Sequence, residues 1–265
     1  MELRDAAGTL HSPVRDAARI VSLVPSITEL ACDLGLASQL VGRTGFCIHP
    51  KGAVREIPKI GGTKTVDIEG IRTLRPTHVI LNIDENERAA AEALATFVPH
   101  LVVTHPQAPL DNLGLYRLIG GIFGRSKEAE ALCARYRSTH DALASQTFQA
   151  RRTLYLNWKD PWMTVSCDTY VSRTLALAGF ETLPVDARSR YPEISLDESW
   201  VADAEVVLLS SEPYMFRSKH VAMVAAMPVF AGKQVRLIDG EMTSWYGSRA
   251  IGGLAYLREF RRSIA

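Results

Sequence analysis

The residues with chemical reach in this 265-residue chain fall into a few short runs. Thr44-Gly45-Phe46-Cys47-Ile48-His49-Pro50 brings an aromatic ring, a thiol and an imidazole close together. Cys47 and His49, two apart, are donor types that a metal takes, so coordination is one reading; in the other, His49 caps the loop by hydrogen bonding before Pro50. The run Trp158 to Val165 carries Trp158 and Trp162, the run Ser210 to Phe216 carries Glu212, and Asp239 to Gly247 carries Glu241, Trp245 and Tyr246, with Arg249 just beyond. Rings so placed suit a large planar or macrocyclic ligand stacked on Trp158, Trp162 and Trp245, with Glu241 and Arg249 orienting its polar edge. Phe46, His49, Tyr191, Glu212 and Tyr246 complete the expected ligand-binding set. The competing reading has each ring plugging the edge of a core.

Other chemistries are excluded by pattern. The chain has no G-x-S-x-G, H-E-x-x-H, G-x-G-x-x-G or Walker loop. Gly61-Gly62-Thr63-Lys64 has backbone donors for a phosphate but lacks a following helix in register, so it reads as a turn. No nucleophile, base and orienting acid can be grouped by spacing, and no catalytic residue is assigned.

Stepping from these loops to what holds them, short apolar runs at 19–24, 40–43, 78–81, 101–104, 153–157, 205–209 and 235–238 alternate with amphipathic segments, the pattern of an α/β layer. From Ser126 to Gln149 there is no Pro or Gly, and Ala129, Leu132, Tyr136, Thr139 and Leu143 recur at helical spacing. Such a helix is roughly 36 Å long, enough to tie two domains together. The expected fold is two α/β lobes with mainly parallel sheets bridged by one long helix: an N-terminal lobe over 1–124, the helix over 125–150 and a C-terminal lobe over 151–265. Ser26 with Glu29, Asp67, and Ser195 with Glu198 are expected helix caps; Asp84 and Glu87 read either as a capping box before a helix over 85–97 or as a cation site.

Thirty basic and twenty-nine acidic residues leave a net charge of +1, with no electrostatic footprint for nucleic acid. No apolar run reaches the roughly 20 residues of a membrane span, so membrane insertion is not expected. The first residues lack a basic start followed by an apolar run, which predicts a cytoplasmic protein as written and a periplasmic one if the true start lies upstream. Cys32, Cys47, Cys133 and Cys167 form no C-x-x-C and are expected as free thiols.

Arg19 to Leu30, Leu40-Val41-Gly42 with the loop to Pro50, and Ile68-Glu69-Gly70-Ile71 through Leu74-Arg75-Pro76-Thr77-His78-Val79-Ile80 resemble the iron-siderophore and vitamin B12 class of ABC-transporter substrate-binding proteins, the helical-backbone metal receptors. The resemblance runs from Arg19 to the C-terminus. It implies a ligand held between the lobes, with Phe46, Trp245 and Tyr191 at aromatic ligand contacts. It also implies one carboxylate on each lobe that docks a permease: Glu69 on the first, Asp197 or Glu198 on the second. The expected function is capture of a metal chelate, a cobalamin-type corrinoid first and an iron-siderophore or haem otherwise, by a monomer with no resident cofactor. The alternative is an enzyme on the same frame acting on a tetrapyrrole or chelate, with Glu212, Glu241 or His49 as acid or base.

Overall fold

The computed structural model describes residues 2–185 and 189–264. The chain divides into two compact units. Unit 1 comprises Met1–Pro106, Leu110–Arg135 and Tyr246–Arg249; unit 2 comprises Gln107–Pro109, Tyr136–Trp245 and Ala250–Ala265.

In unit 1 the elements run β1 (Ile20–Ser22), α1 (Pro25–Asp33), β2 (Leu40–Arg43), α2 (Lys51–Val54), α3 (Ile68–Leu74), β3 (His78–Asn82), α4 (Arg88–Ala95), β4 (His100–Thr104) and α5 (Asp111–Ile122). The four strands are parallel in the order β2-β1-β3-β4. Every residue of β1 and β3 is buried, as expected where helices cover a parallel sheet. Val21, Leu23, Ile60, Ile71, Val79, Leu81, Leu94 and Val98 form one apolar cluster of this unit.

The chain passes into unit 2 within α6 (Ser126–Ala144), which is five residues shorter than the spacing predicts. Leu143 is the last buried residue of its stripe; the polar Ser145 and Gln146 that follow give it no apolar face to continue. Unit 2 then repeats the pattern with β5 (Arg151–Leu156), α7 (Tyr170–Ala176), β6 (Phe180–Leu183), β7 (Val206–Ser210), α8 (Ser218–Ala225), β8 (Gln234–Ile238), α9 (Gly240–Ser244) and α10 (Arg249–Arg262). Its parallel sheet has the order β6-β5-β7-β8, which is the order of unit 1 again. Strand β6 escapes the sequence reading because it is four residues long, contains an exposed Glu181 and is cut off by Pro184.

The expected caps fare unevenly. Asp67 does cap α3, its Oδ1 accepting the Gly70 N–H at 2.9 Å. α1 instead starts at Pro25, whose fixed φ and missing N–H suit the first helical position, with Val24 as its cap residue and no side-chain cap; Ser26 Oγ is buried and unbonded. No α-helix follows Ser195: Glu198 accepts the Ser195 N–H at 2.8 Å, and the chain makes only a 3₁₀ turn, Ser199–Asp203. Asp84 does not cap α4, which begins after Glu87 with no side-chain cap; Asp84 pairs with His105 at 3.3 Å.

Candidate ligand-binding loops

In an open parallel sheet the chain leaves two neighbouring strands in opposite directions at one point, and ligands bind outside their carboxyl ends. Here those points lie between β1 and β3 in unit 1 and between β5 and β7 in unit 2. Among the described residues ten large apolar side chains are exposed. Eight of them, Phe46, Ile48, Ile83, Leu110, Trp158, Val185, Tyr191 and Met215, stand in loops that leave the carboxyl end of a strand. The exposed apolar surface is thus concentrated on one rim of each sheet, where a binding surface is expected.

The rim of unit 1 is built by the loops after β2 and β3. Arg43, the last residue of β2, is buried; its Nε donates to Val54 O at 2.7 Å and its Nη1 to Thr44 O at 3.1 Å, which fixes both ends of the loop that carries Phe46 and His49. Phe46 is 63% exposed at the tip and His49 is half-buried. Cys47 is fully buried between them, within hydrogen-bond reach of the Thr28 and Thr44 hydroxyls at 3.1 Å each, and burial pushes its thiol pKa up. Its sulfur therefore faces the core, which corrects the expectation that it meets a metal. Among the described residues no three His, Cys, Asp or Glu side chains are placed to hold a metal ion. The Gly61-Gly62 stretch is the turn expected: Gly62 N–H donates to Thr65 O at 2.9 Å, and Gly61 has φ +90° where a Cβ would lie 2.3 Å from Thr65 O.

The segment Tyr246–Arg249 also belongs to unit 1. Gly247 N–H donates to Asn112 Oδ1 at 2.7 Å, Tyr116 OH donates to Gly247 O at 2.8 Å, and Tyr246 OH donates to Glu85 Oε1 in the loop after β3. Arg249, expected to orient a ligand, makes a bidentate pair with Glu29 of α1, both contacts at 2.7 Å and both side chains largely buried. Its guanidinium fork matches the carboxylate geometry, so Arg249 serves first as an anchor of this segment.

The rim of unit 2 is organised by the loop Ser210–Phe216, which touches all three expected stacking tryptophans. Tyr214 meets Trp158 edge-on at 5.8 Å, Phe216 stacks on Trp162 at 6.2 Å, and Glu212 Oε1 accepts the Trp245 indole N–H and the Ser244 hydroxyl at 3.2 Å. The three rings are not equally available. Trp158 is 38% exposed, whereas Trp245 is only 9% exposed and Trp162 packs on the apolar core of unit 2. Of the three rings expected to stack together, Trp158 is therefore the exposed one, while Trp162 and Trp245 are packed into unit 2. Tyr191 is as exposed as Trp158, and Glu241 lies half-buried in the first turn of α9. Gly240 permits the arrangement: a Cβ there would lie 2.5 Å from Ser210 Oγ and 2.7 Å from Glu212 Cγ.

Three residues on these rims lie outside the expected ligand-binding set: Arg43, Glu85 and Tyr214. Arg43 reads as the end of a strand, Glu85 as a helix-start acid and Tyr214 as one loop aromatic among several, and each takes its place on the rim through a partner: Val54, Tyr246 and Trp158. A cavity of about 400 Å³ elsewhere in unit 1, lined by Arg4, His105, Asp111 and Leu115 among others, includes none of the expected ligand residues.

Comparison with known proteins gives this frame a family. The family described as "Periplasmic binding protein" matches residues 20–239. The chain belongs to the periplasmic binding protein family. A vitamin B12-binding protein of Yersinia pestis (strain Pestoides F) is 24% identical over 209 residues, 76% of this chain and 72% of that protein. Among solved structures, the periplasmic vitamin B12 binding protein BtuF of Vibrio cholerae superposes with a TM-score of 0.78 at 20% identity, covering 93% of this chain and 98% of that one. The periplasmic heme-binding protein RhuT from Roseiflexus sp. RS-1 superposes with a TM-score of 0.79 at 22% identity, covering 94% and 99%.

Three further carboxylates of this periplasmic binding protein are those expected to meet a permease. Glu69 is exposed in the first turn of α3, 3.3 Å from Arg72. Glu198 is tied locally by the Ser195 N–H and the Trp200 indole N–H, both at 2.8 Å, and the backbone bond first and the indole second lower its pKa. Asp197 beside it is exposed, with no side-chain partner among the described residues. No helix among the described residues is long and apolar enough to cross a membrane.

Proposed function

We propose that this chain captures a metal chelate for an ABC-type importer, a corrinoid of the cobalamin type first, with haem or a ferric siderophore as the other members of the class. The observation that carries the reading is the gathering of exposed rings and aliphatic side chains on the strand-end loops of both sheets. Relatives named for vitamin B12 and heme binding support it. A macrocyclic chelate offers broad apolar faces and a polar edge, and it takes the first from rings and the second from a few oriented polar groups. The rim of unit 1 offers Phe46 and Ile83 for apolar contact, and the rim of unit 2 offers Trp158, Tyr191 and Met215. Glu85, Glu212, Glu241, His49 and Tyr246 supply the polar ones.

The metal arrives in the ligand, so no resident cofactor belongs to this reading. Turnover is not part of it either, because the relatives are named as binding proteins. The compartment is periplasmic, after the family, and the chain acts as a monomer. Glu69 and Asp197 are the carboxylates offered to a permease, Asp197 in preference to the locally tied Glu198.

Tryptophan quenching on titration with cobalamin, haem and a ferric siderophore tests the reading. At least one is expected to bind and to be recovered unchanged, and Trp158→Ala is expected to weaken that binding by about tenfold to a hundredfold, the scale of an interface hot spot. Recovery of an altered chelate would favour the enzyme alternative; absence of quenching by all three would remove the binding reading.

A further inference from the structure

Trp245 and Tyr246 are consecutive, and each holds a carboxylate: Trp245 that of Glu212 in unit 2, Tyr246 that of Glu85 in unit 1. The two glutamates occupy matching places. Glu85 follows β3 and Glu212 follows β7, the strands that take the third position in the orders β2-β1-β3-β4 and β6-β5-β7-β8. Both stand at a switch point where a ligand is expected.

Their surroundings differ. Glu212 Oε1 accepts from two side chains, Trp245 and Ser244. Glu85 accepts from Tyr246 OH, and among the described residues no cation pairs with it. Lys64, a positive charge that acts on Glu85, donates to Asp84 O at 3.1 Å and pairs with Glu87 at 3.4 Å; Asp84 itself pairs with His105. Glu85 is half-buried at the rim; a partly desolvated carboxyl beside another carboxylate, with the Tyr246 phenol as its one donor among the described residues, holds its proton to higher pH. Burial pushes Glu85 up to about 7; the Tyr246 bond opposes this, Asp84 adds to it and Lys64 opposes it.

We propose that Glu85, positioned by Tyr246, selects the edge chemistry of the ligand: it accepts an amide-edged chelate at any pH and a carboxylate-edged one only while protonated. The inference rests on the chelate-binding reading above. An amide edge carries both C=O and N–H, so it bonds to a carboxylic acid and to a carboxylate alike. A carboxylate edge bonds to the acid through its O–H and is repelled by the ionised form. Glu85 thus favours amide-edged over carboxylate-edged chelates more strongly as pH rises.

The test is binding of cobalamin, which is amide-edged, and haem, which is carboxylate-edged, across pH 6 to 8 by wild-type protein, Glu85→Gln and Tyr246→Phe. Haem affinity of the wild type is expected to fall about tenfold across that range, as the competent fraction falls from roughly nine-tenths to one-tenth. Cobalamin affinity is expected to change less than about threefold on the same reckoning. Glu85→Gln, neutral throughout, is expected to abolish the slope for haem. Tyr246→Phe removes a bond that favours the ionised form, so it moves the slope's midpoint to higher pH, which a merely structural role for Tyr246 does not do. If only one chelate binds, its own slope decides: steep for haem and lost in Glu85→Gln, flat for cobalamin. A slope that survives Glu85→Gln, or one equally steep for both chelates, overturns the role of Glu85 alone. Failure of both chelates to bind at every pH overturns the binding reading and this inference with it.

Discussion

Units 1 and 2 are built on one plan and closed by opposite charges. Both have a four-stranded parallel sheet in the same order, but unit 1 is sealed by an anion near the start of the chain and unit 2 by a cation near its end. In unit 1 the buried Asp5 accepts the N–H groups of Ala7, Thr9 and Val103 at 2.9–3.0 Å and lies 3.0 Å from His11 Nε2, fastening the first residues to the open edge of β4. In unit 2 the buried Arg261 donates to Ala178 O at 3.1 Å, Ile264 O at 2.9 Å and Gln149 O at 2.8 Å, with Phe148 and Phe180 5.5 Å from its guanidinium. One buried charge that supplies several hydrogen bonds of one sense thus fastens each unit, at the β4 edge in unit 1 and just ahead of β5 and β6 in unit 2. The rims differ as well, aliphatic and acidic in unit 1 and tryptophan-bearing in unit 2.

The tryptophans make that comparison measurable, because Trp158, Trp162, Trp200 and Trp245 all belong to unit 2. The largest effect is expected from Asp5→Ala. It leaves three N–H groups and a buried imidazole without their acceptor, a loss of about 3–5 kcal/mol that urea unfolding followed by circular dichroism should report. Coincident shifts in dichroism and tryptophan fluorescence would mean that the two units unfold as one, which would dissolve the energetic side of the comparison.

Next comes acid sensitivity, expected to be a property of unit 1. His78 is buried, with its ring 4.7 Å from that of His100 and 5.0 Å from Phe123. Burial first, then His100 and His11, hold its pKa down at about 4. Below the ordinary histidine value near 6.5 the unfolded chain takes a proton that the folded one refuses. Stability is therefore full above pH 6.5 and lost as pH falls towards 4, by up to about 3 kcal/mol. His78→Phe should flatten the pH profile of the melting temperature over that window; a profile identical to wild type would assign the acid sensitivity elsewhere.

The smallest of the three is Arg261→Ala, expected to cost about 2–3 kcal/mol because its carbonyl partners lie in short loops that water can partly reach. Here tryptophan fluorescence is the proper probe. A loss as large as that of Asp5→Ala would show that the two clamps are energetically alike despite their opposite charge.

Much of the rim was legible in the residues themselves. Phe46 and Trp158 stand exposed at strand ends because strand runs, Pro and Gly mark where an α/β chain turns, and rings left outside apolar runs fall at those turns. Cys47, Trp245 and Arg249 were not legible: whether a thiol faces a loop or a core, or a guanidinium meets a ligand or Glu29, depends on a partner 19 to 220 positions away. Glu85 shows the same limit, since its place beside Tyr246 spans 161 positions.

Local chemistry determined the class of fold, the alternation of strand and helix, the long α6 and the kind of residue at each rim, because these follow from periodicity and turn preference within a few residues. Only the tertiary structure decided which rings stay open and which charges are paired, because burial and partnership are set where distant segments meet.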